Sequence, residues 1–162
     1  MSEVKTSTSD LQHRRDLVLK PTSGRYVTHP IQAPTLWHMY KQHVAAFWTV
    51  EEVDLTQDLS DWKTITPRER HFITTVLAFF AASDGIVMEN LACRFMGDVC
   101  LTEARQFYSF QVAAEAIHSE MYGVLLDTYL ADEPVEKLRL LQAVETIPVV
   151  KQKALWAMRY ID

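Results

Sequence analysis

Asp84 interrupts an apolar run, with VLAFFAAS before it and GIVM after it. A helix that is apolar nearly all round belongs in an interior, so the sequence predicts a buried carboxylate at this position. Such a group is costly unless it is paired or loses its charge. It therefore needs an arginine, a neighbour to cap, or a metal ion. Taken alone, pairing or capping is the commoner outcome. A second feature is EAIH, Glu115 to His118. Residues i and i+3 of a helix share a face, so this carboxylate and imidazole can grip one ion. A Glu and a His at that spacing are more often a solvated surface pair. Here Val112, Ala113, Ala114, Ala116 and Ile117 surround them, and the stretch does not read as a solvent face. Tyr122 lies on the same face, one turn beyond His118. One reading is an interior tyrosine with its hydroxyl hydrogen-bonded. The other is a phenol close enough to an oxygen-activating metal pair to lose an electron. Spacing alone does not choose between them.

The elements that must position these residues join the two features. The midpoint between Asp84 and Glu115 falls at Val99–Cys100, where the pattern predicts a turn. In an antiparallel hairpin each residue then stands roughly 23 Å from the turn at about 1.5 Å per residue, so the two are level. A carboxylate on one helix and an ExxH on its partner form half of the ligand set of ferritin-like dimetal bundles. Two first-row metal ions suit such oxygen and imidazole ligation.

The rest of the chain is organised around that hairpin. Residues 1–30 are rich in Ser, Thr and charge and read as a flexible N-terminal arm. Pro34 opens a helix through Leu36, Tyr40, Val44 and Phe47. Residues 48–65 are acidic and aperiodic, a connection. Thr66, Pro67 and Glu69 form a capping box for a helix to about Met96, with Gly97 as a plausible stop. Thr102 is a candidate cap for the next helix, to about Leu130, with Glu103 well placed in its first turn. Asp132 and Pro134 open a shorter helix ending near Pro148. A last pattern, Ala154, Leu155, Met158 and Ile161, is still running where the sequence stops. The class is all-α, with residues 31–162 as the first, N-terminal half of a ferritin-like helical domain, an incomplete bundle.

Composition narrows the function. The 162 residues, 48% hydrophobic and 23% charged, suffice for a real core. A formal net charge of −5 argues against nucleic acid as a partner. Cys93 and Cys100 do not make a CxxC pair, and a reducing compartment fits. The polar N-terminus is no secretory signal. Ser83 and Asp84 make residues 73–88 a poor membrane span, so cytoplasm is the expected location.

FWTVEEVDL (47–55), LAFFAASDGIVMENL (77–91), TEARQFYSFQ (102–111) and EAIHSEMY (115–122) closely resemble the small subunit of class I ribonucleotide reductase, eukaryotic type. The likeness runs from about Arg25 to Asp162. The resemblance implies that Asp84, Glu115 and His118 are ligands of a di-iron centre, with manganese an alternative. It implies that Tyr122 is oxidised to a stable radical, and that Trp48 begins the relay toward the large catalytic subunit. It also implies a second small subunit as partner, and oxygen-dependent radical generation in support of ribonucleotide reduction. The carboxylate of Asp54 lies in the connection and is left out of the site.

One departure stands out. The family's chain is about twice as long, and its second half supplies another carboxylate and a second ExxH. After Tyr122 no ExxH recurs here. Two carboxylates and one histidine neither neutralise nor enclose two divalent ions, so the chain by itself is expected to be inactive. Two other readings compete with that of a reductase fragment. One is a truncated, non-catalytic partner of the full-length subunit. The other is a self-dimerising di-iron protein built from two paired hairpins.

Overall fold

The computed structural model describes Val18, Leu19 and residues 25–161. The expected arm over 1–30 lies largely outside the described residues. The described elements are helical, in agreement with the expected class: α1 (Pro34–Ala45), α2 (Asp58–Thr64), α3 (Pro67–Asn90), α4 (Thr102–Tyr129), α5 (Pro134–Leu141), α6 (Ala143–Thr146) and α7 (Pro148–Ile161). Two compact units divide them. One combines the segment ending at Ala46 with Leu91–Val112; the other combines Phe47–Asn90 with the segment from Ala113 onward.

The second unit is built around α3. Its N-terminus is the expected capping box: the Glu69 carboxylate accepts from the Thr66 backbone N–H at 2.7 Å, and the Thr66 hydroxyl accepts from the Glu69 N–H at 3.3 Å. These bonds satisfy two of the donors that a helix start leaves open. Leu77 and Ala78 of α3 join Leu126 of α4, Leu130 just beyond its end, Leu140 of α5, Ala143 of α6 and Val150 of α7 in one core. The α3 helix packs against α5, α6 and α7. By length and composition alone, the run Pro67–Asp98 is long and apolar enough to cross a membrane. The core contacts of Leu77 and Ala78 are those of a helix in a bundle.

Several boundaries differ from the sequence reading. Residues 48–65 are more than a connection: Val50–Glu52 is a capped 3-10 turn and α2 carries the buried Trp62. A seven-residue helix is too short to establish a period, and its acidic first turn resembles a loop. The helix expected to run to about Met96 does reach Asp98, but not evenly: after Asn90 it widens to a π-helical turn over Leu91–Phe95 before closing as α-helix at Met96–Asp98. The single helix expected before Pro148 is two, interrupted at Gln142. Pro148 opens α7 rather than closing its predecessor, in keeping with the fixed φ and missing N–H that suit a first helical position.

In the first unit Val99, Leu101 and Ala104 pack with Ala33 and Leu36. Thr102 is the first residue of α4 rather than its cap. Glu103, expected merely to favour the helix start, is fully buried. Arg25 grips it with two parallel bonds of 2.8 Å, and the Gln32 backbone N–H donates to it at 2.7 Å. These donors hold the Glu103 carboxyl down at about 2 despite its burial.

Candidate metal centre

Asp84 lies in the last two turns of α3, while Glu115 and His118 lie one turn apart on α4. Each offers a ligand atom, and the three atoms lie within 4.8 Å of one another. The level count along the hairpin therefore corresponds to a real juxtaposition, all of it inside the second unit. His118 Nδ1 and Glu115 Oε2 are 3.3 Å apart. Among the described residues this histidine is the ion-pair partner of Glu115.

The electrostatics suit a cation site. Burial raises the Asp84 pKa, the Glu115 carboxylate raises it further, and His118 and a hydrogen bond from Ser83 pull the other way. Like charges gathered in this way repel unless a positive ion enters. Two carboxylates and an imidazole are the donor set that first-row divalent ions prefer. The set fits one ion; a second would need further acidic ligands. The expectation of deep burial needs correction: all three residues are only partly buried. Phe80 and Val87 of the same helix are exposed, so the apolar sequence around Asp84 is not matched by full burial within this unit.

Tyr122 sits beside the cluster. Its ring stacks on Phe80 at 5.5 Å and 17°. Burial first, then Asp84 and Glu115, raise its pKa, so the phenol keeps its proton. Trp48 stacks on the His118 ring at 5.9 Å and 28°. The structure thus brings together all five residues singled out in the sequence: Asp84, Glu115, His118, Tyr122 and Trp48. Asp54 stays apart, exposed and accepting the Thr56 N–H at 2.9 Å. Sequence reasoning missed Phe80, which has no signal separating it from the rest of its apolar run.

Comparison with known proteins adds an independent line. The family described as "Ribonucleotide reductase, small chain" matches residues 25–162. The chain is 59% identical over 145 residues to a ribonucleoside-diphosphate reductase small chain of Nicotiana tabacum, covering 90% of this chain and 44% of that one. The Plasmodium falciparum small chain is 52% identical over 157 residues, covering 95% and 45%. The chain thus spans about half the length of the curated relatives it matches. Among solved structures, the ribonucleotide reductase Rnr4 homodimer of Saccharomyces cerevisiae superposes with a TM-score of 0.75 at 31% identity, covering 93% of this chain and 48% of that one. The R2 subunit from Clostridium botulinum, 20% identical with a TM-score of 0.69 over 77% of this chain and 38% of that one, shares the fold.

Proposed function

The chain belongs to the ribonucleotide reductase small-chain family, and from that premise we propose that it carries one half of a di-iron, radical-generating site. Asp84, Glu115 and His118 hold metal, Tyr122 bears the radical, and Trp48 passes the oxidising equivalent on. The reaction served is reduction of ribonucleoside diphosphates, with a large catalytic subunit and a second small subunit as partners. Iron is the metal by family likeness, and manganese suits the same donors.

The observation that carries this reading is the convergence of two carboxylates and a histidine within 4.8 Å, with no arginine or lysine paired to them among the described residues. A bound iron pair, with oxygen, supplies a one-electron oxidant. This chain's own residues do the rest. Glu115 and Asp84 provide anionic oxygen, and His118 provides a nitrogen donor. Tyr122, kept protonated by its surroundings, gives up an electron together with its phenolic proton. The stacked Trp48 and His118 rings offer an aromatic path away from the metal ligands. Three ligands balance one divalent ion, so the remaining ligands come from outside these residues.

A chimera tests the reading: this chain's residues 25–162 replace the matching segment of the tobacco small chain. Iron uptake followed by oxygen should give a tyrosyl signal by electron paramagnetic resonance, lost in Tyr122→Phe. A folded chimera that takes up no iron, or keeps its signal in that variant, would sink the proposal. A second reading, a non-catalytic partner of a full-length subunit, is favoured by the exposed Leu155, Trp156 and Tyr160 of α7. Stable co-purification with the tobacco small chain, without bound iron, would support it.

A further inference from the structure

The second unit holds another aromatic and acidic arrangement that radical generation at Tyr122 does not use. Trp62 of α2 and Tyr129 at the end of α4 stack with ring centroids 4.6 Å apart and planes 10° from parallel. The Tyr129 hydroxyl donates to Asp58 Oδ2 at 2.7 Å. Trp62 is 8% exposed, and the Arg70 guanidinium lies 5.6 Å from its ring centroid. We propose that Tyr129, with Asp58 as its proton acceptor and Trp62 as its stacking partner, is a second redox site that traps an oxidising equivalent.

The step balances as follows. The O–H bond of Tyr129 breaks, and its proton crosses the existing hydrogen bond to form an O–H on Asp58. The electron reduces a one-electron oxidant, leaving a neutral phenoxyl radical at Tyr129. That oxidant is a diffusing one-electron oxidant of the peroxyl-radical class, which takes up the electron and a proton from solvent to become a hydroperoxide, so the Tyr122 radical of the proposed function keeps its place. The trap itself rests only on the geometry around Tyr129.

Three features distinguish this arrangement from packing alone. Burial and the Asp58 carboxylate push the Tyr129 phenol up to about 12, so electron loss has to proceed with proton loss, and the acceptor is already bonded. The near-parallel rings put Trp62 in direct π contact with the phenol. The cationic Arg70 beside Trp62 disfavours a positive charge on the indole and leaves Tyr129 as the place where the oxidising equivalent settles.

The experiment needs no metal, so its outcome is separate from that of the iron test. The full chain carries Tyr26→Phe and Tyr160→Phe, removing two exposed phenols, and 3-fluorotyrosine at position 129. A ruthenium photosensitiser with a sacrificial cobalt(III) acceptor oxidises it, and samples are frozen for electron paramagnetic resonance. The expected signal shows fluorine splitting. General-base assistance is typically worth about a hundredfold or more, so Asp58→Asn should lower the yield by about tenfold or more, and Asp58→Glu should restore part of it. A signal without fluorine splitting overturns the proposal. An undiminished fluorine-split signal in Asp58→Asn, with helical circular dichroism intact, also overturns it, because the proton would then go elsewhere.

Discussion

Glu103 and Asp84 are both carboxylates set into long helices, and the two units treat them in opposite ways. Glu103 is sealed from solvent and fully supplied: Arg25 clamps it, and the backbone N–H groups of Gln32 and Ala33 add to the set. Its charge is stabilised, and its pKa falls to about 2. Asp84 is only partly buried, yet its pKa rises, because desolvation and Glu115 outweigh the help from His118 and Ser83. The first carboxylate has no further use for a cation and ties its chain segment to the start of α4. The second is short of positive charge. A structural carboxylate and a candidate metal ligand are therefore distinguished by the company they keep more than by burial.

The comparison can be broken most forcefully at the proposed metal ligands. Losing an outer partner of a ligand typically weakens metal binding by about 10–100-fold. Replacing a proposed ligand itself, in His118→Ala or Asp84→Ala, should exceed about a hundredfold, read by titration with Co(II) or Fe(II). Arg25→Ala should leave that affinity unchanged. A metal affinity that survives His118→Ala would place the ion elsewhere.

The converse experiment strikes the sealed pair. Arg25→Ala leaves Glu103 buried without its guanidinium, a strongly destabilising change. The thermal midpoint should fall further than in Lys151→Ala, which removes a surface pair at 3.6 Å of the kind worth little. Replacing Arg25 and Glu103 together by methionine should recover part of the loss. Equal midpoints for Arg25→Ala and Lys151→Ala would mean that the buried pair contributes no more than a surface one.

Acid titration sharpens the same contrast. The folded pKa of Glu103 is depressed, so its contribution to stability is fully present above the unfolded carboxyl value near 4.5 and is lost as pH falls through about 2. Midpoints measured between pH 5 and 2 should fall steeply, and Glu103→Gln should flatten that slope. The smallest effect belongs to Asp84→Asn. Removing one of two crowded like charges should raise the midpoint of the metal-free chain slightly at neutral pH while abolishing metal binding. A lowered midpoint would mean that the ionised Asp84 stabilises the chain without metal.

Much of this was legible in the sequence. Asp84 was conspicuous because a charge broke an apolar run, and Glu115 with His118 because of their spacing among small side chains. The Thr66–Glu69 capping box forms as read, since both of its bonds are local. The short α2 was missed because seven residues carry no usable period. Its Trp62 matters through Tyr129, 67 positions later in the chain, and no local pattern links the two.

The sequence by itself determined the helical class, the main hairpin and the candidate ligand types, because periodicity, capping and turn position are short-range properties. Only the tertiary structure decided which carboxylate is neutralised. Glu103 meets Arg25 across 78 positions, whereas Asp84 meets Glu115 and His118. Whether a buried charge is satisfied depends on groups from distant segments converging within a few ångströms, and sequence spacing does not encode that distance.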